Sequence, residues 1–303
     1  MTNNEFRECL IKGLQDRMPD AVIVPQDTKK NNGVVFSSII IKDNSSNMAP
    51  CICTEDMYYD YQNGYTDMDG VIESVLKIYE QSKPKEDFNV SEFLDYSIAC
   101  HNLKGRLVNT EKNRELLKEL PHRNFIDLSL VYFVDVTRDG DLGCASIRVT
   151  NDHIKMWNVT EEDLYRQFKE NMEQDDRSKL QSIIDVLAEG ASCLQGEMDE
   201  VRENMCMMPM YVLSNTRKLD GAVEILNNRA MEKAAETIGD DFYILPSSIH
   251  ETILVPVMGN EDGADQLAEM VSCVNHSQVL DTEVLSNHVY RYCRKSRQIE
   301  LAA

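Results

Sequence analysis

Three times along the chain an apolar, β-branched run is followed by a turn signal, a second such run and an amphipathic helical stretch, near residues 21–81, 127–172 and 210–274. The stretches do not align residue by residue, so the unit recurs as architecture and not as a sequence repeat. Its strongest members are GVVFSSIIIK (33–42), DLSLVYFVDVT (127–137) and the pair FYIL and TILV (242–245 and 252–255). Runs this rich in Val, Ile and aromatics suit pleated, half-buried strands. Each sheet so formed has an apolar face that a neighbouring helix must cover. The pattern therefore predicts an α+β fold, with antiparallel or mixed sheets and helices packed on one side.

The charged, proline-broken run SKPKED (82–87) predicts a linker. It divides the chain into an N-terminal α+β region, 1–84, and a C-terminal α+β region, 85–303. The polar stretch near 173–208 is expected to be a helical insert, with helices over Leu180–Ala188 and Cys193–Met205, because a long structureless loop is unusual inside a compact domain. Further expectations are a first helix capped by Asn4, a helix over Glu111–Leu120, and a second strand over Gly221–Leu226. Asn32-Gly33 and Asp139-Gly140 carry hairpin-turn signals. Thr160 to Asp163 opens a helix with a capping box and an acidic first turn. Gly239 closes the helix that begins near Arg229.

The net charge of −21 argues against a nucleic-acid partner, since phosphate backbones are held by clustered Lys and Arg. RYCRKSR (291–297) is the one dense basic run. Anionic membrane surfaces are disfavoured on the same ground. The acidity is read either as solubility or as a surface for a basic protein partner. The opening segment, MTNNEFRECLIKGLQDRMPD, reads as a charged amphipathic helix and not as a signal peptide, and no apolar run is long enough to span a bilayer, so a cytoplasmic setting is expected.

Nine cysteines are scattered at 9, 51, 53, 100, 144, 193, 206, 273 and 293 with no C-x-x-C pair, which fits small buried residues in a reducing compartment. Cys51 and Cys53 share a strand face but lack the second ligand pair a metal needs. No cofactor motif is present. The run GNEDG (259–263) carries two carboxylates and makes a poor phosphate cradle. Tyr58, Tyr59, Tyr61 and Tyr65 form either an exposed aromatic patch or packed rings with hydrogen-bonded tips.

Chemistry is densest at PSSIHE (246–251), between two core strands. If the strand path continues through it, His250 and Glu251 point to opposite faces while Ser248 and His250 share one. Ser248, His250 and Glu251 are thus the catalytic candidates, with Ser248–His250 the same-face pair able to activate a hydroxyl. There is no G-x-S-x-G elbow, and HETIL is not the zinc motif H-E-x-x-H. On the structural alternative the serines turn the chain and His250 hydrogen-bonds internally. His122, His153 and His250 form a three-histidine metal site only if the fold gathers them. Trp157 is read as packing at a strand–helix junction.

Several long phrases resemble a bacterial family, common in gut Firmicutes, catalogued as domain of unknown function 5688. They are LVNTEKNRELLKELPHRNFIDLSLVYFV (107–134), ASIRVTNDHIKMWNVTEEDLY (145–165), MYVLSNTRKLDGA (210–222), GDDFYILPSSIHETILVP (239–256) and VNHSQVLDTEVLSNHVYRY (274–292). Asn287 stands where the family is expected to carry aspartate, which argues against a catalytic acid there. The resemblance implies a bacterial cytoplasmic setting and one architectural whole over 100–292, and it implies no particular reaction. Two functions are therefore carried forward. One is a non-enzymatic protein that binds a partner; the other is a hydrolase with a pocket around Ser248 and His250.

Overall fold

The computed structural model describes residues 1–83, 87–137, 145–190, 209–257 and 263–303. The chain divides into two compact units, Met1–Ser91 and Glu92–Ala303.

In the smaller unit α1 (Asn3–Arg17) leads into β1 (Val22–Lys29), β2 (Val35–Lys42) and β3 (Cys51–Cys53), and then into α2 (Glu55–Gln62) and α3 (Met68–Ser82). Thr2, two residues ahead of the expected Asn4, caps α1, and its capping box with Glu5 satisfies two end donors reciprocally. The strands pair antiparallel in the order β1-β2-β3. The Asn-Gly turn between β1 and β2 uses left-handed backbone at both residues, φ 59° at Asn32 and 72° at Gly33. Ile23, Ile39, Ile41 and Ile52 face Phe6, Leu10, Leu14, Val71, Val75 and Tyr79, so the helices cover one face of this sheet. The tyrosine-rich segment is helical. Tyr58 and Tyr61 pack on Phe6, with ring centroids 5.2 and 5.3 Å away, whereas Tyr59 and Tyr65 are exposed.

The division falls within α4 (Val90–Leu94). The larger unit continues through α5 (Tyr96–Ala99), β4 (Leu103–Asn109), the single turn α6 (Arg114–Leu117), β5 (His122–Phe125), β6 (Leu128–Asp135) and β7 (Ser146–Arg148). Then come α7 (Asn151–Trp157), α8 (Glu161–Gln174), β8 (Ser178–Ser182), α9 (Ile183–Gly190) and β9 (Tyr211–Asn215). A 3₁₀ turn (Gly221–Leu226) precedes α10 (Asn228–Ile238), β10 (Phe242–Leu245), β11 (Thr252–Pro256), α11 (Gly263–Ser277), β12 (Tyr290–Cys293) and β13 (Gln298–Leu301).

These strands make two antiparallel sheets. In the first, β6 pairs with β4 along one side and with β5 and then β7 along the other. The second has six strands in the order β13-β12-β10-β11-β9-β8. The fold is thus α+β with antiparallel sheets. Thr160 and Asp163 cap α8 as the sequence pattern implies, with Asp163 N–H donating to Thr160 Oγ1 at 3.3 Å and Thr160 N–H to Asp163 Oδ2 at 2.9 Å. Gly239 terminates α10 at φ 87°.

Four local expectations are corrected. Gly221–Leu226 is a 3₁₀ turn and not a strand. Leu180–Ser182 completes a strand that pairs with β9, and helix begins only at Ile183, because the edge of β9 offers ladder partners to Ser178–Ser182. The expected helix over Glu111–Leu120 shrinks to one turn, since Asn109 accepts from the Lys112 N–H through Oδ1 and from Asn113 Nδ2 through its carbonyl and so turns the chain first. PSSIHE (246–251) lies outside the strands, so strand alternation does not govern it. The Asp139-Gly140 turn and the helix expected over Cys193–Met205 lie outside the described residues.

A polar junction knits the two sheets of this unit together. Asp127, in the β5–β6 turn, accepts from the Tyr290 hydroxyl, from Ser286 Oγ at 2.7 Å and from His288 Nδ1 at 3.0 Å. Ile126 beside it holds φ 56°, a left-handed conformation costly for a β-branched residue.

Candidate functional site

A cavity of about 230 Å³ opens in the larger unit where the edge of β4 meets α8 and the turn after β9. Leu103 and Gly105 of β4, Phe168 and Met172 of α8, and Leu219 and Val223 after β9 supply apolar wall. Gly105 sets the closeness of this approach. A Cβ at this position would stand 2.6 Å from Leu130 Cδ1 and 2.7 Å from Phe168 Cε2, so glycine lets α8 lie close against the strand.

The polar wall is a set of ion pairs. Arg106 reaches Asp220 Oδ2 at 2.6 Å and lies over the Phe133 ring, 4.3 Å from its centroid. Arg148 approaches the same ring at 5.9 Å, and burial together with the nearby Arg106 charge lowers its pKa. Arg217 pairs with Asp135 at 2.7 Å. Asp175 takes Arg177 at 2.6 Å and Lys104 at 3.6 Å. Its carboxyl titrates below the usual range, chiefly through the Arg177 hydrogen bond. At Asp135 burial acts upward, but bonds from Thr137 and Arg217 outweigh it and the net shift is downward. Arg106 Nε and Asp220 Oδ1 are buried without hydrogen-bond partners, so this pair engages through one of its two possible bonds.

Glu224 differs from the other acids. It is 6% exposed, and its carboxyl accepts from Asn227 Nδ2 at 3.0 Å. Burial pushes its pKa up to about 7; the negative charge of Asp176 adds to this and the Asn227 bond opposes it. The residue sits in the apolar run GAVEIL, and a lone carboxylate in such a run is the signal that sequence reading had available for it.

His250 stands behind this wall. Its Nδ1 accepts from the backbone N–H of Asp220 at 3.1 Å, which leaves the ring proton on Nε2, 3.4 Å from Glu283 Oε1. Its carbonyl accepts from Ser214 Oγ at 2.7 Å. Ser248 Oγ accepts from the backbone N–H of His250 at 3.1 Å, so the hydroxyl meets the main chain and not the imidazole. Glu251 is half-buried just ahead of β11. Asp220 itself holds φ 55°, and Gly221 packs so tightly that an added Cβ would lie 2.5 Å from His250 O, 2.8 Å from Asn215 N and against Ser214 Oγ. His250 therefore fixes the turn that carries Asp220 and Glu224.

The other histidines lie elsewhere. His122 Nδ1 bonds to the Leu120 carbonyl at 2.9 Å. His153 belongs to the α7 capping box and packs on Phe93, ring centroids 4.9 Å apart. Trp157 donates to the Phe93 carbonyl at 3.0 Å. Among the described residues no cluster of three or more His, Cys, Asp or Glu is placed to hold a metal, so His122, His153 and His250 are not brought together.

Comparison with family models matches residues 3–294 to the Family of unknown function (DUF5688). The chain belongs to this family. No curated protein and no solved structure matches it. Four of the five phrases singled out in the sequence meet in space at one place. Ala222 N–H donates to the Ile249 carbonyl at 3.1 Å and Ile249 N–H to Glu283 O at 2.9 Å, joining LDGA, SSIHE and EVLSN. Asn109 Nδ2 adds the fourth phrase through the Leu285 carbonyl at 3.0 Å. Asn287 Oδ1 accepts from Asn275 Nδ2 at 2.8 Å, which ties the segment ahead of β12 to α11. Among the described residues no helix is long and apolar enough to cross a membrane.

Proposed function

We propose that this DUF5688 member is a bacterial cytoplasmic binding protein without catalytic activity, and that the cleft between β4, α8 and the 219–224 turn is its ligand site. The observation that carries this reading is the cleft's make-up. An apolar floor from Leu103, Phe168, Met172 and Val223 is ringed by fixed ion pairs, the composition of a preformed small-molecule pocket. The cytoplasmic setting draws support from the free thiols of Cys9, Cys51, Cys53, Cys100, Cys273 and Cys293. The charge of −21 suits a basic protein as a further partner. A hydrolase built on Ser248 and His250 draws less support, because the imidazole is committed to Asp220 and Glu283 and the serine hydroxyl to the main chain.

The test is a thermal-shift screen of small amphipathic molecules against the native protein and a Met172→Trp variant that fills the floor. Stabilisation of the native protein that disappears in the variant supports the cleft. Equal shifts in both proteins, or none in either, would count against it.

A further inference from the structure

Among the charged side chains that line the cavity itself, which Arg148 does not, all but one stand in an ion pair. Arg106, Arg177, Lys104 and Arg217 each face a carboxylate of Asp220, Asp175 or Asp135. Glu224 has no ion pair among the described residues, and Asn227 is its hydrogen-bond partner. Asn227 Nδ2 also reaches Asp176 Oδ1 at 3.2 Å, so two acids sit about one amide. Lys104 is the cation whose field reaches Glu224, and it is engaged with Asp175. Ionising Glu224 therefore places a charge in the wall with no counter-ion beside it, a costly state that burial penalises.

A ligand's sign decides what happens next. A positive group placed on Glu224 removes the penalty and adds a charge-assisted hydrogen bond. A negative group has to displace Asp220, Asp175 or Asp135 from a formed pair, or stand beside two acids. The acidic exterior works in the same direction, because a field of this sign concentrates cations.

Resting on the binding reading above, we propose that the cleft selects small amphipathic amines, with the ammonium on Glu224 and the apolar body against Leu103, Phe168 and Val223. The occupant is defined by chemistry: a primary ammonium on a short hydrocarbon or aromatic body, of a size that fills about 230 Å³.

Calorimetric titration of the full chain with hexylamine, hexanol and hexanoate at pH 8 and pH 6 tests the assignment. Hexylamine is expected to bind at least tenfold tighter than hexanol at pH 8. It should weaken about tenfold at pH 6, as the ionised fraction of Glu224 falls, while hexanol stays level. Glu224→Gln is expected to abolish the preference for the amine and to leave hexanol binding in place. The pH comparison on the native chain decides the matter should that variant fold poorly. Equal binding of amine and alcohol, or tighter binding of hexanoate, would overturn the amine assignment while leaving the cleft as a ligand site. Failure of all three probes to bind would overturn both.

Discussion

The backbone N–H of Asp220 meets Nδ1 of His250 at 3.1 Å, and this bond joins the sequence's most conspicuous polar segment to a cleft that the segment does not line. His250 acts on the cleft through Asp220, whose carboxylate holds Arg106 at 2.6 Å. It is a positioning residue.

His250→Ala is expected to destabilise the protein by about 1–2 kcal/mol, the cost of leaving a half-buried N–H unpaired. Ligand affinity in the cleft should drop as the Asp220 turn loosens. Urea unfolding measures the first effect and probe titration the second. His250→Asn, which keeps an acceptor near Nδ1, should recover part of both; no recovery would mean that ring packing, and not the bond, fixes the turn.

Glu224 makes stability depend on pH in the direction opposite to most acids. Unfolded, the carboxyl ionises near 4.5; folded, near 7. Between those values the folded state holds the extra proton, so stability falls as pH rises from 4.5 to about 7 and then levels. Glu224→Gln should therefore be more stable than the native chain at pH 8, by up to about 3 kcal/mol, with the gap closing toward pH 4.5. Chemical denaturation across this range reads it directly, and a gap independent of pH would refute the assignment.

Asp127 behaves in the usual way. Burial acts to raise its pKa, but donors from Tyr290, His288 and Ser286 outweigh that and hold it below 3.8. Its contribution is complete above the unfolded value of 3.8 and is lost as pH falls through the lower folded value. Asp127→Asn should cost about 2 kcal/mol at pH 7, because three donors lose a charged acceptor. The difference between variant and native protein should shrink below pH 3.8. Equal unfolding midpoints at pH 7 would show that the junction between the sheets does not depend on this carboxylate.

Two glycines near the cleft should differ in their tolerance of a methyl group. At Gly105 the new Cβ meets side-chain ends of Leu130 and Phe168, which yield by small rotations, so Gly105→Ala should cost about 1–3 kcal/mol. At Gly221 it meets the His250 carbonyl and the Asn215 N–H, backbone atoms that cannot turn aside. Gly221→Ala should be the more damaging, and the order of the two thermal midpoints decides it.

The elements legible in advance were those in which local chemistry and tertiary packing agree. Apolar β-branched runs became β2, β6, β10 and β11. The Thr160 capping box and Gly239 marked the helix ends they were expected to mark, because caps are satisfied within a few residues. Gly221–Leu226 departed because its apolar run packs as a tight turn onto β9 and the 249–250 carbonyls, and nothing within six residues reports that docking.

The polar centre at 246–251 was visible in the chain, and so were its flanking core strands. Only the tertiary structure decided what it faces. Because its path leaves the strand, Ser248 and His250 turn to the main chain and to Asp220, not to each other. The cleft draws on β4, α8, β9 and the 219–224 turn, segments separated by as many as 121 positions from Leu103 to Glu224. Strand identity follows from short-range alternation and so is written locally in the sequence. Which charges share a buried wall, and which one of them lacks a partner, follows from long-range packing.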